Sequence, residues 1–423
     1  MDWEQLHNES LVIDLHTHPS LKSMLLHRNL GRRKGGFLST LFDSSFWPFS
    51  ERVTFPMLEK GGVDVVLSTV YALEHGWIND ISLIKWLLRF FPSIKKSIVD
   101  PTYFDVTNAM LDDMESQIES YNNNLEVQVA SGSFKKLILT RSAKELSEGI
   151  EADKICIIHS IEGAHSLQHI EAGRSFDDAI MSDKGDIETE ILNNLEFFFN
   201  RGVAYLTLAH FYTNYCVSPV FPYPEYGMKH MKWKEMFGKW DMNEGLTDLG
   251  IKVVEKMLEL GMLIDISHCT PTARKQIYDL VDVHHKEQCL VATHSGAFSI
   301  NPDMYNLEDW EIKWLGSHGC LLGVIFMNYW ISPVDSKMGL KYLDQTINHI
   351  IKVGGEDVPA IGTDFDGFTD PPEEITNIGE LPRFTQYMRA TNHYSDKQVK
   401  KILGENSLRL IKEGWKHEVA DER

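Results

Sequence analysis

Residues 11–20 read LVIDLHTHPS, an apolar run that stops abruptly at His16 and His18. Side chains alternate across a strand with period two, so histidines at i and i+2 on an extended segment face the same way and can grip one cation. The same grammar recurs down the chain. Apolar, β-rich runs stand at 11–14 (LVID), 63–72 (VDVVLSTVYA), 155–162 (ICIIHSIE), 203–210 (VAYLTLAH), 262–268 (MLIDISH), 289–294 (CLVATH), 320–326 (CLLGVIF) and 358–364 (VPAIGTD). Near-continuous apolar runs of this length are what parallel strands covered by helices show.

Helical periodicity fills the gaps. DVTNAMLDDMESQIESYNN from Asp105, EILNNLEFFFNRG from Glu190, LTDLGIKVVEKMLELG from Leu246 and LKYLDQTINHIIKVGG from Leu340 each end near Gly or Asn, a common helix stop. In the third, Thr247 is placed to cap the first turn, and Leu249, Val253, Val254, Met257 and Leu260 form an apolar stripe. Eight strand–helix repeats predict an α/β fold of the (β/α)8 TIM-barrel type. The expectation is a single domain over 1–423 with long inserted βα loops near 20–60 and 211–240. Both insertions are rich in Gly, Pro and aromatics and follow strands, which puts them at the catalytic mouth as substrate-shaping walls or, alternatively, at a dimer surface. The basic cluster Arg32, Arg33, Lys34 is read as a solvated loop tip.

Composition narrows the partners. Hydrophobic content of 43% and charged content of 24% are those of a globular protein with a large core. A net charge of −20 repels phosphate backbones and anionic membranes, so neither nucleic acid nor a membrane surface is an expected partner. The cysteines (156, 216, 269, 289 and 320) are scattered through apolar runs, which suits buried reduced thiols. The N-terminus has no signal-peptide pattern and no apolar run is long enough to span a bilayer, so a cytoplasmic location is expected.

Polar residues close nearly every apolar run: His16 and His18, Glu162, His210, His268, His294 and Asp364. In a parallel barrel those positions lie on one rim and face a common centre. Imidazoles with a carboxylate suit Zn²⁺, whereas Mg²⁺ or Ca²⁺ want mostly oxygens. The economical arrangement is two divalent ions bridged by one carboxylate, sharing a hydroxide of lowered pKa, which is machinery for hydrolysis. Glu162 is the strongest single signal, because a carboxylate closing an apolar strand is costly unless paired or metal-bound. His159 and His165 flank it as supporting or structural residues, and Asp364 competes with Asp366 but is preferred as nearer the strand end, since Asp366-Gly367 also suits a turn.

In order along the chain, VIDLHTH, SIEGAHSL, YLTLAH, GLTDLG with GMLIDISH, ATHSGAFS and IGTDFDGF resemble the motifs of the membrane (renal) dipeptidase family of the amidohydrolase superfamily. The resemblance covers most of the chain. It implies that His16, His18 and Glu162 hold one metal and that Glu162, His268 and His294 hold the other. It further implies that His210 binds the substrate carbonyl and stabilises the oxyanion, and that Asp364 passes a proton from the bridging water to the leaving amine. The implied substrate is a dipeptide, and a homodimer is expected on the same ground. Two positions depart from the family pattern. His18 stands where the family usually has aspartate, and Tyr305-Asn306 stand where an Arg-Asn pair clamps the dipeptide's carboxylate. A phenol cannot replace a guanidinium fork in kind. Three readings follow: a binuclear metallo-dipeptidase that holds its substrate with Tyr305 and Asn306, an amidohydrolase acting on another amide, ester or lactone, and a catalytically silent metal-binding barrel.

Overall fold

The computed structural model describes residues 1–32, 50–76, 90, 95–128, 134–170, 186–221, 243–333, 339–367 and 370–419. Its strands are β1 (Ile13–Thr17), β2 (Val65–Val70), β3 (Leu137–Leu139), β4 (Ile155–Glu162), β5 (Val203–Thr207), β6 (Leu263–Asp265), β7 (Leu290–Ser295), β8 (Leu321–Val324) and β9 (Pro359–Ile361). All but β3 come from the eight apolar runs. They pair in parallel in the order β2-β1-β9-β8-β7-β6-β5-β4, and β2 returns to β4 with Val65 beside Cys156, which closes the barrel. β3 was not legible from sequence; it extends β4 with Leu137 beside Ile155, ahead of the stretch where His159 begins the pairing with β5.

The four helices expected between strands form at Tyr103–Gln128, Ile187–Asn200, Asp248–Leu260 and Gly339–Gly354. The third behaves as its sequence dictates: the Thr247 side chain accepts from Gly250 N, and Gly261 ends the helix in the left-handed region at φ 73°. Val253, Val254 and Met257 are fully buried on its inner face, while Leu249 and Leu260 pack at the margin of the core. Each such buried aliphatic side chain contributes about 1.5–3 kcal/mol.

Two buried aspartates lock strands together beneath the rim. Asp14 on β1 accepts from Thr363 N at 2.9 Å and Thr363 Oγ1 at 2.6 Å, tying the first strand to the segment after the last. Asp265 on β6 accepts from Thr207 Oγ1 of β5 and Thr293 Oγ1 of β7, both at 2.6 Å. Burial pushes the Asp14 carboxyl up to about 6, against the pull of the Thr363 and His16 bonds. Carboxylates inside a sheet are tolerated when their oxygens are saturated with donors, and both are.

The central parts of both expected insertions, 33–49 and 222–242, lie outside the described residues, as do Arg33 and Lys34. All five cysteines are buried and unpaired, as expected of reduced thiols. Among the described residues, no helix is long and apolar enough to cross a membrane.

Barrel closure leaves no room beside β7. A Cβ on Gly362 would stand 1.7 Å from the Thr293 carbonyl oxygen, and one on Gly323 would stand 2.1 Å from the same atom. Backbone cannot step aside as a flexible side chain can. Gly362→Ala is therefore expected to lower stability by at least about 1–3 kcal/mol, read as a lower urea midpoint; an unchanged midpoint would contradict this account of the closure.

Candidate metal centre

The rim residues picked out by sequence converge on one point. His16 is the penultimate residue of β1 and His18 follows it, Glu162 ends β4, and His294 lies within β7. His210, His268 and Asp364 each come three residues after β5, β6 and β9. Backbone geometry aims two of them. His268 and Asp364 sit in the left-handed region at φ 64° and 57°, which costs non-glycine residues of order 1–3 kcal/mol. Tertiary bonds hold them there: Val220 N donates to His268 O at 2.8 Å, and Asp364 N donates to His16 O at 2.9 Å.

Glu162 occupies the centre at 2% exposure. Its Oε2 lies 3.3 Å from His18 Nε2, and its Oε1 lies 3.6 Å from His16 Nε2 and 3.3 Å from the Nε2 atoms of both His268 and His294. Within each histidine pair the Nε2 atoms are 2.9 Å apart. Two ligand trios result, His16–His18–Glu162 and Glu162–His268–His294, with the carboxylate common to both. The donor set fits a cation. Glu162 Oε1 is buried without a hydrogen-bond partner, and four imidazole nitrogens turned on one carboxylate are arranged as ligands rather than as a hydrogen-bond network. Burial opposes a charge on His18, yet Asp364 and Glu162 push its pKa up to about 10, whereas burial holds His16 well below the usual imidazole range and lowers His268 to about 4.

His210 and Asp364 flank the cluster from opposite partners. His210 Nε2 is 3.5 Å from Glu162 Oε2, and Asp364 Oδ1 is 3.3 Å from His18 Nε2. Burial raises the Asp364 carboxyl above its ordinary range while His18 and His294 pull it back. Asp366 has a different occupation: it accepts from Arg52 N and, at 2.9 Å, from Val53 N, pinning the far end of the first insertion against the rim. Gly367 is confined between the two sites, since a Cβ there would meet Asp364 Oδ1 at 2.1 Å and His18 Cδ2 at 2.5 Å.

A residue that sequence reasoning passed over is Glu74. Buried beyond the end of β2, it takes His210 Nδ1 at 2.9 Å, the Tyr71 hydroxyl at 3.0 Å and the amide of Tyr212 at 2.9 Å. Burial works against its charge, but His210 above all, with His165 and the Tyr212 amide, holds the carboxyl below its usual range. The signal was available, because Glu74 is a carboxylate closing an apolar run just as Glu162 is. His165 supports the same corner, its Nε2 2.8 Å from Ala72 O, whereas His159 faces away toward Glu115 at 3.5 Å.

Tyr305 and Asn306 are present but their hydrogen-bond donors are used inside the protein. The Tyr305 hydroxyl donates to His294 O at 2.6 Å, its ring stands edge-on to His268 at 5.2 Å, and its other side stacks on Trp330 at 4.1 Å. Asn306 Nδ2 donates to Asn301 O and Trp330 O at 2.9 and 2.8 Å. Arg274 beneath this loop is committed as well, paired with Glu311 at 2.7 Å and donating to Met304 O at 3.0 Å. Tyr305 thus braces both histidines of the second trio.

Comparison with known proteins adds a family and a fold. An uncharacterised Klebsiella pneumoniae protein in the pqqA 5' region is 35% identical over 181 residues, 42% of this chain and 64% of that one. The dipeptidase tcpJ of Claviceps purpurea is 26% identical over 222 residues, 52% of this chain and 46% of that one. The chain thus spans less than two thirds of the length of these curated relatives. A metallo peptidase from Rhodobacter sphaeroides, solved with a phosphinate mimic of L-Ala-D-Ala, shares the fold with a TM-score of 0.66 at 20% identity, covering 96% of this chain and 100% of that one. The family model for membrane dipeptidase, peptidase family M19, matches residues 182–421, which include His210, His268, His294 and Asp364. His16, His18 and Glu162 lie outside that match and are joined to it by the geometry described above. With more than half of its length matched, the chain belongs to the membrane dipeptidase family.

Proposed function

We propose that this protein is a metal-dependent hydrolase of dipeptides and dipeptide-like amides. The observation that carries the reading is one carboxylate, Glu162, set between two histidine pairs at the barrel mouth with His210 and Asp364 alongside. His16, His18 and Glu162 would hold one divalent ion and Glu162, His268 and His294 a second, with Zn²⁺ the metal that suits the donors. Bound there, such ions supply Lewis-acid polarisation of the scissile carbonyl and an activated water.

The chain's own residues do the remaining work. His210, held at Nδ1 by Glu74, presents Nε2 to the substrate carbonyl oxygen and stabilises the charge that develops on it. Glu74 keeps the ring from turning. Asp364 accepts the proton released as water attacks and returns it to the leaving amine, so that nitrogen departs neutral. The names of the Claviceps relative and the Rhodobacter structure, a dipeptidase and a metallo peptidase with a dipeptide mimic, support the substrate class. A second reading, hydrolysis of an amide, ester or lactone without a free carboxylate, is favoured by one observation: the Tyr305 hydroxyl, at the place of the family's arginine, is spent on His294 O.

Stripping the protein with a chelator is expected to abolish hydrolysis of L,L- and L,D-dipeptides, and reloading with Zn²⁺, Mn²⁺ or Co²⁺ to restore it. No turnover of any dipeptide by reloaded protein sinks the dipeptidase reading; turnover of dipeptide amides in the same panel establishes the second one. Fewer than one ion per chain with no activity on reconstitution would instead favour a silent barrel.

His210→Ala is expected to lower kcat by about 10²–10³-fold with metal content unchanged. Glu74→Gln keeps the shape and removes the charge, and should lower kcat about tenfold with little change in KM. Steady-state kinetics alongside elemental analysis checks both; a Glu74→Gln enzyme with parental kcat would show that the pair is only structural.

A further inference from the structure

His16, Asp265 and His294 form a third trio close enough to hold an ion, and it shares a histidine with each of the other two. Its centre is filled by protein. Thr293 Oγ1 lies 2.6 Å from Asp265 Oδ2, 3.0 Å from His16 Nδ1 and 2.8 Å from His294 Nδ1. A hydroxyl has one proton to give and two lone pairs to receive with.

Donors surround Asp265. Besides Thr293 Oγ1 it takes Thr207 Oγ1 at 2.6 Å, Ser267 N at 3.0 Å, Ser267 Oγ at 2.8 Å and Thr293 N at 3.0 Å. The Thr293 proton therefore goes to the carboxylate, by a short charge-assisted bond. That leaves the Thr293 oxygen as an acceptor only, and the two ring nitrogens facing it must each carry hydrogen. Tyr205 completes the arrangement for His16, since its hydroxyl donates to Leu15 O at 3.0 Å and its oxygen faces His16 Nδ1 at 2.8 Å.

We infer that Thr293 is a positioning residue that fixes the Nδ1–H tautomer of one histidine in each ligand trio, leaving both Nε2 lone pairs aimed at Glu162. The inference rests on the metal reading of the site. It goes further in tying the two halves to a single hydroxyl: His16 belongs to one trio and His294 to the other. Losing that hydroxyl would free both imidazoles to take the Nε2–H form, in which the ligand nitrogen no longer has a lone pair to offer. Supporting hydrogen bonds of this kind typically govern metal affinity by about 10–100-fold.

The test is metal binding by full-length protein, measured as ions retained per chain and as Zn²⁺ affinity in competition with a chromophoric chelator. Thr293→Val keeps the shape and removes the hydroxyl; Thr293→Ser keeps the hydroxyl. Affinity is expected to fall about 10–100-fold at both sites in Thr293→Val and to stay near parental in Thr293→Ser, with the metal-free melting temperatures of the three proteins confirming that all fold. Parental affinity in Thr293→Val, or an equal loss in Thr293→Ser, overturns the hydroxyl's role. A parental protein that binds no Zn²⁺ would instead overturn the metal reading beneath it, so the two failures are distinguishable.

Discussion

A carboxylate at 2% exposure in the mouth of a barrel is the constraint that the rest of this molecule answers to. An unpaired buried charge costs several kcal/mol even after the protein relaxes around it. Glu162 is met by imidazole nitrogens from within or just after β1, after β6 and within β7, and by His210 after β5, none closer than 3.3 Å. That spacing is loose for hydrogen bonds and suited to groups that share a cation. The barrel is what makes such convergence affordable, because strands with rigid, buried walls bring residues hundreds of positions apart to the same rim.

The layer beneath the rim is carboxylates again, used differently. Asp14 and Asp265 each sit inside an apolar strand with their oxygens saturated by hydroxyls and amides of neighbouring segments. They join β1 to the end of β9 and β6 to β5 and β7, the same elements that carry the histidines. The frame and the cluster are therefore tied by short bonds: the strain at His268 and Asp364 is stored in a frame that these aspartates hold rigid.

Much of this was legible because two periodicities coincide. Apolar runs announce buried parallel strands, and the first polar residue after each run announces the rim; His16, Glu162, His268, His294 and Asp364 were found that way and lie together. What escaped lacks that contrast. β3 is a run of only three apolar residues, Leu137–Leu139, too short to stand out. Asp14, Asp265 and Thr293 lie within apolar runs, where a polar letter reads as an interruption, and their meaning appears only when strands are laid side by side. Glu74 is the exception, closing its run as Glu162 does, but its partner His210 is 136 residues away, so no local pattern links them.

Tyr305 serves the cluster without facing it. A phenol has one proton, and here it goes to the carbonyl of His294 while the ring presses edge-on against His268 and face-on against Trp330. Its contribution passes to the two ligands of the second trio. At the same mouth Phe211 stacks on His210 at 4.0 Å, a second aromatic face close to Glu162. If the site is the hydrolase proposed above, an aromatic face beside His210 rewards apolar surface on the substrate, so that shape takes over from charge in selecting it.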